Sequence, residues 1–163
     1  MNSNPDQVAA LVPHAFDGVF LAQSRVVSYN SSLLVEPHRS GWNGLYSDPI
    51  DHLYWIVTYP GVVRAWGVHD HTVDRYSAVL GTIDVALFDG RKGSATEGEV
   101  SVVTLYAEKG QGLLIPPGIW HTLRAQTDPA VLLNSKSPPY NATNVDKQLA
   151  PLPEAIRDFD WPQ

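Results

Sequence analysis

The 163-residue sequence contains no cysteine, which removes disulfides, thiolate nucleophiles and cysteine-bound metals from consideration. That absence leaves the redox compartment undetermined. No run approaches the roughly 20 apolar residues of a membrane span. The opening stretch, MNSNPDQVAALVPHAF, has neither the basic start nor the apolar run of a secretory signal. Positive charge is also scarce: eleven Lys and Arg against seventeen Asp and Glu give a formal charge of −6. A nucleic-acid backbone requires clustered cations, so that partner class is excluded, whereas a local arginine pair can still hold a small anion. The expectation is a cytoplasmic protein that binds a small molecule, with no nucleic-acid or membrane partner.

Hydrophobic residues make up 44% of the chain, enough for one ordinary core, so residues 1–163 read as a single domain. Thirteen Pro and twelve Gly leave little room for long helices. Residues 5–15 and 146–150 are each expected to form at most a turn or two of helix. Candidate strands fall at residues 19–21, 32–36, 54–59, 62–66, 76–80, 82–88, 101–106, 112–115, 122–126 and 130–134. Their Val, Ile, Leu and Tyr content and regular spacing predict a sandwich or barrel. Residues 1–16 read as an N-terminal extension. The closing PLPEAIRDFDWPQ keeps Ile156, Phe159 and Trp161, so residues 151–163 are expected to pack back on the body.

Two stretches carry the chemistry. RAWGVHDHTVDR, residues 64–75, places His69 and His71 two apart. GQGLLIPPGIWH, residues 110–121, runs from a buried strand through a Pro-Pro-Gly turn to His121. On a strand, positions i and i+2 share a face, so His69 and His71 are expected to point together into a barrel interior. The spacing His69-x-His71, Gly81, Gly110, Pro116, Gly118, His121 has the shape of the two cupin motifs. His69, His71 and His121 together would suit a divalent transition metal. The usual fourth ligand, a Glu six residues before the glycine, is replaced by Arg75, and a cation there opposes a metal ion. Trp66 and Trp120 adjoin these strands, as core or as the lining of an aromatic pocket.

More specifically, the chain resembles the dTDP-4-dehydrorhamnose 3,5-epimerase family, small dimeric jelly-roll cupins that work without metal. SSLLVE, PGVVRAWGVH, DGRKGSATEG, IPPGIWH and DWP occur in the family's order from about Val19 to Pro162. The resemblance implies an all-β, double-stranded β-helix fold, a homodimer and no cofactor. It puts Arg64 on the motif arginine, Glu36 on the early-strand glutamate and Arg75 near the anion-contacting lysine. Tyr140 falls where an aromatic lies against the nucleotide base, and Glu154 near a carboxylate that orients the histidine. The departures are sharper: the family's proton-abstracting histidine falls on Gly67, its catalytic tyrosine on Asn134, and its phosphate-contacting arginine on Ser31.

Epimerisation beside a ketone requires a base on one face of the carbon and an acid on the other. Gly67 and Asn134 provide neither, so unmodified 3,5-epimerase activity is not expected. On an unbroken strand His69 faces the same way as Gly67, about 6.5–7 Å along. His69 is therefore the expected relocated base, with Asp70, Asp74 or Glu154 orienting it. The reading that follows is a cofactor-independent, epimerase-like isomerase for a nucleotide-linked keto sugar or related biosynthetic metabolite. Its expected catalytic residues are His69, His121 and Arg64, with Arg75, His71, Glu36, Asn134, Tyr140 and Trp66 binding substrate. Its rivals are a metal enzyme using His69, His71 and His121, and a non-catalytic sugar or metabolite binder.

Overall fold

Alternation of apolar and polar residues, broken by Gly and Pro, produces strands almost throughout the computed structural model. It describes residues 10–39, 44–46, 50, 52–137, 147–148 and 151–162. The strands are β1 (Ala10–Pro13), β2 (Phe20–Gln23), β3 (Arg25–Tyr29), β4 (Ser32–Glu36), β5 (His52–Thr58), β6 (Val68–His69), β7 (Val73–Leu80), β8 (Thr82–Asp89), β9 (Val100–Tyr106), β10 (Gln111–Ile115), β11 (Ile119–Ala125), β12 (Ala130–Ser137) and β13 (Lys147–Gln148). One short helix, α1 (Glu154–Arg157), follows. None of the described helices is long and apolar enough to cross a membrane.

A six-stranded sheet, in the order β1-β2-β10-β7-β12-β5, faces a three-stranded sheet, β11-β8-β9, and every pairing is antiparallel. The main core lies between them. Tyr76, Ala78, Leu113, Ile115 and Leu132 from the large sheet meet Ile83, Val85, Leu87, Leu105, Ile119 and Leu123 from the small one. This contact fixes the parity of each strand. On β12, Leu132 faces inward, and Asn134 and Lys136 share its side; on β7, Tyr76 and Ala78 face inward, and Asp74 shares theirs. β8 is buried along nearly its whole length because both of its faces are covered. Its second face carries Phe88, which packs with Val68, Trp120 and Ile156 and with the half-buried Trp66, Leu152 and Phe159. The C-terminal segment thus lies on the outer side of the small sheet.

β4 falls on the expected residues 32–36, and β8 runs one residue past the expected end. Other expectations fail. Residues 10–13 form strand β1 rather than helix, because their backbone pairs with β2. Residues 147–148 pair with β6 rather than forming helix. Residues 62–66 form no strand and contribute one isolated bridge, Val63 to Arg124. β3 was not expected; its Arg25–Tyr29 register with β4 makes a separate hairpin.

Candidate active site

The turn after β10 positions both histidines. Gly118 has a φ of +82°, a conformation that favours glycine, and its N–H donates to the His69 carbonyl at 2.8 Å. Gly67 and His121 exchange two backbone hydrogen bonds of 2.9 and 3.0 Å. These links lay β6 against the start of β11. The His69 and His121 rings consequently stack with centroids 5.8 Å apart, and Tyr76 meets His121 edge-on at 5.9 Å. His121 shares the inner face of β11 with the core residues Ile119 and Leu123.

Asp74 sits between the two rings. Its Oδ2 lies 3.4 Å from His69 Nε2 and 3.6 Å from His121 Nε2. Register places Lys136 and Asn134 of β12 opposite Asp74 and Tyr76 of β7. Lys136 Nζ reaches His69 Nε2 at 2.9 Å and Asp74 Oδ1 at 3.3 Å. The Asn134 amide donates to Asp74 Oδ1 at 2.7 Å and to the Tyr54 hydroxyl at 2.8 Å, and its carbonyl accepts from the Arg75 N–H. Asn134 is thereby a scaffold linking β5, β7 and β12.

The electrostatics follow from burial and neighbours. Burial pulls the Asp74 carboxyl upward, yet His121, Lys136, His69 and the Asn134 amide together hold its pKa below the ordinary value. Burial raises the Tyr54 phenol, aided by Asp74 and opposed by Asn134 and Arg64. Tyr76, fully inside, is pushed well above the usual phenol range, again chiefly by burial. An ammonium only donates, so protonated Lys136 makes His69 Nε2 an acceptor. His121 Nδ1 faces the Ile119 carbonyl at 3.1 Å, which favours the tautomer with its proton on Nδ1. Asp74 Oδ2 receives no hydrogen bond among the described residues. The two Nε2 atoms and Asp74 Oδ2 thus converge beside one ammonium.

The expected site residues divide. His69, His121 and Asn134 come together, and of the three expected orienting carboxylates Asp74 is the one beside His69. Arg64 is exposed and held by its backbone against β11, yet its charge reaches both Tyr54 and Tyr76. His71 does not share a face with His69: β6 ends at His69, and Asp70 and His71 lie exposed in the bend beyond it. The three-histidine set is therefore corrected, and the described residues that converge are His69, Asp74 and His121, with ligand atoms within 4.8 Å of one another. Arg75 is on the other side of β7 from Asp74, where its charge acts on Tyr46, so strand parity sets it on the face away from His69 and His121. Trp66 packs edge-on against Phe159 on the outer side of the small sheet. Glu36 is paired with Arg39 through both carboxylate oxygens and with Arg25, at the open end of the β3–β4 hairpin. Glu154 is exposed on α1. Tyr140 lies outside the described residues.

Lys136 and Tyr54 were missed. Lys136 stands in SKSPP, a stretch that reads as a solvated loop, and only strand parity counted from Leu132 would have turned it inward. Tyr54 follows from the same alternation on β5, where Tyr54, Ile56 and Thr58 face in while Leu53, Trp55 and Val57 face out.

The fold is a jelly-roll cupin, and acid–base groups from β6, β7, β11 and β12 are clustered inside it. The chain belongs to the dTDP-4-dehydrorhamnose 3,5-epimerase family, which matches over residues 44–157. It is 34% identical over 130 residues to a probable low-salt glycan biosynthesis epimerase, Agl13, of Haloferax volcanii, covering 78% of this chain and 83% of that protein. It is 30% identical over 108 residues to the spore coat polysaccharide biosynthesis protein SpsL of Bacillus subtilis, covering 66% and 72% respectively. Among solved structures, a dTDP sugar isomerase from Desulfovibrio desulfuricans G20 superposes with a TM-score of 0.77 at 26% identity, over 90% of this chain and 92% of that one.

Proposed function

We propose that this protein is an epimerase-like isomerase that moves a proton at the carbon beside the ketone of a nucleotide-linked sugar used in glycan assembly, with no redox cofactor. The observation that carries this reading is the buried contact of His69 and His121 with Asp74 in a family of sugar epimerases. The names of the two curated relatives, one a glycan and one a polysaccharide biosynthesis protein, favour a glycan precursor over other metabolites.

Removing a proton beside a ketone leaves an enolate. The reaction needs a base at the carbon, positive charge near the oxygen, and an acid on the opposite face. His69 is the base in this reading: its Nε2 lone pair, which Lys136 occupies in the resting protein, takes the proton as that ammonium turns to the developing enolate oxygen. Asp74, 3.4 Å from the same nitrogen, stabilises the imidazolium that forms. His121 holds the other side of the carboxylate. Tyr54 supplies the acid: Asn134, where the family's tyrosine is counted, presents the neighbouring strand's hydroxyl in its place. Burial keeps that phenol protonated above its usual range. Arg64, at the exposed rim, anchors anionic oxygens of the substrate.

The reading includes a homodimer. Leu53, Trp55 and Val57 of edge strand β5 point outward, Trp55 with 71% of its surface exposed, and a second copy would cover this apolar row. Sedimentation at micromolar concentration checks this part.

The test of function is incubation with dTDP-4-keto-6-deoxy sugars in deuterated water, followed by proton NMR. Deuterium is expected at carbon beside the keto group. Tight binding of these sugars without exchange would identify a binder and sink the isomerase.

A further inference from the structure

The donor set of the pocket poses a problem that the isomerase reading does not resolve. His69 Nε2 accepts from Lys136, His121 turns Nδ1 to the Ile119 carbonyl and Nε2 toward Asp74, and Asp74 Oδ2 receives no hydrogen bond from the described residues. Two imidazole edges and a carboxylate oxygen thus face one another inside the protein, with the Lys136 ammonium against one imidazole and the carboxylate. Two imidazoles and one carboxylate make a donor set that holds divalent metals.

Two of the three separations suit an ion as well. Ligand atoms about 2.1 Å from a tetrahedral ion stand about 3.4 Å apart. The two histidine–aspartate separations are 3.4 and 3.6 Å, and all three atoms lie within 4.8 Å. A metal does not fit beside the present residues, however. Lys136 Nζ is 2.9 Å from one of the three donors and 3.3 Å from the carboxylate's other oxygen, and its side chain is only 15% exposed. An ammonium at that range repels a dication by several kcal/mol on the order-of-magnitude scale of charges in a partly buried site.

We infer that the Lys136 ammonium takes the cation's place in a two-histidine, one-carboxylate site, so that this pocket carries its positive charge as a side chain. Lys136 keeps Asp74 company in the resting protein and sets positive charge beside the base, where an enolate oxygen would develop. The structural half of this inference is independent of the substrate; the catalytic half rests on the isomerase reading.

The experiment is a Co(II) titration of tag-free protein, followed by visible absorption and elemental analysis. Wild type and Lys136→Arg, which keep the charge, are expected to take up no stoichiometric Co(II). Lys136→Met is expected to bind about one per chain, on the order of 100-fold or more tighter than wild type. Adding His121→Ala to Lys136→Met removes that binding. Lys136→Gln serves the same purpose if the Met variant does not fold. The inference is overturned if the uncharged variants bind Co(II) no better than wild type. It is equally overturned if wild type binds one Co(II) per chain through His69 and His121. Either result leaves the deuterium-exchange test of the isomerase untouched, and a failed exchange test leaves the Co(II) result standing.

Discussion

Asp89 and Asp74 are both buried carboxylates on β-strands of this barrel, yet their surroundings are opposite. Asp89, at the end of β8, accepts five hydrogen bonds of 2.7–3.0 Å: three from Arg91, one from Ser94 and one from Thr96. Its loop closes when the Gly98 N–H donates to the Asp89 carbonyl at 2.8 Å. Asp74 takes one short hydrogen bond from Asn134 and one ion pair from Lys136, and its second oxygen faces two imidazoles at longer range. A satisfied buried charge fixes local structure, whereas an under-satisfied one keeps capacity for a proton or a substrate atom. Asp89 opens the loop DGRKGSATEG, which resembles the family's, whereas Gly67 and Asn134, near Asp74, stand where the resemblance leads one to expect a histidine and a tyrosine.

The largest expected effect comes from His69→Gln, which keeps shape and polarity but removes the base. Exchange of the keto sugar should fall roughly 1000-fold, within the range for losing a general base and equivalent to about 4 kcal/mol. An undiminished exchange rate would move the base elsewhere.

Next in size is Asp89→Ala. Five donors lose their acceptor, and although Arg91 can partly resolvate, a loss of about 3 kcal/mol of folding stability is expected in denaturant melts. Exchange per folded molecule should stay near wild type. The same contrast appears in acid. Burial works to raise the Asp89 pKa, but the Arg91, Ser94 and Thr96 hydrogen bonds hold it far below the ordinary value, and Asp74 is also depressed. A carboxylate with a lowered folded pKa contributes stability above its unfolded pKa of about 3.9 and loses it as pH falls toward the folded value. Thermal midpoints should therefore drop below about pH 4. Asp89→Asn should flatten that decline and lower the plateau at neutral pH.

The smallest effect belongs to His71→Ala. Because His71 is exposed in the bend beyond β6, exchange should change by no more than about twofold, the scale of a surface substitution. A large loss would bring His71 back into the site.

Much of this was legible in the sequence, and the misses have physical causes. β4 and β8 are marked by continuous β-branched or apolar runs between turn residues, so they were readable. β1 is a four-residue edge made by pairing with β2, and nothing in ALVP itself specifies it. His69 and His121 were found because glycines and prolines at fixed offsets announce the turn that aligns them. A strand flips face at every residue, so the sequence alone does not choose between Arg75 and Asp74; the core contacts of Tyr76 and Ala78 set the parity. Lys136 and Tyr54 enter the site through long-range register, with Lys136 opposite Asp74 and Tyr54 opposite Asn134. Such pairings are absent from any short window of sequence.

The most direct test of the account is the deuterium-exchange rate per folded molecule of Asp74→Asn measured beside Asp89→Asn, at neutral pH and a temperature where both are folded. The account predicts that Asp74→Asn loses most of its exchange, while Asp89→Asn exchanges at close to the wild-type rate despite its lower stability. Retention of exchange in Asp74→Asn, or equal loss in both, would contradict the assignment of proton chemistry to the His69–Asp74–His121 cluster.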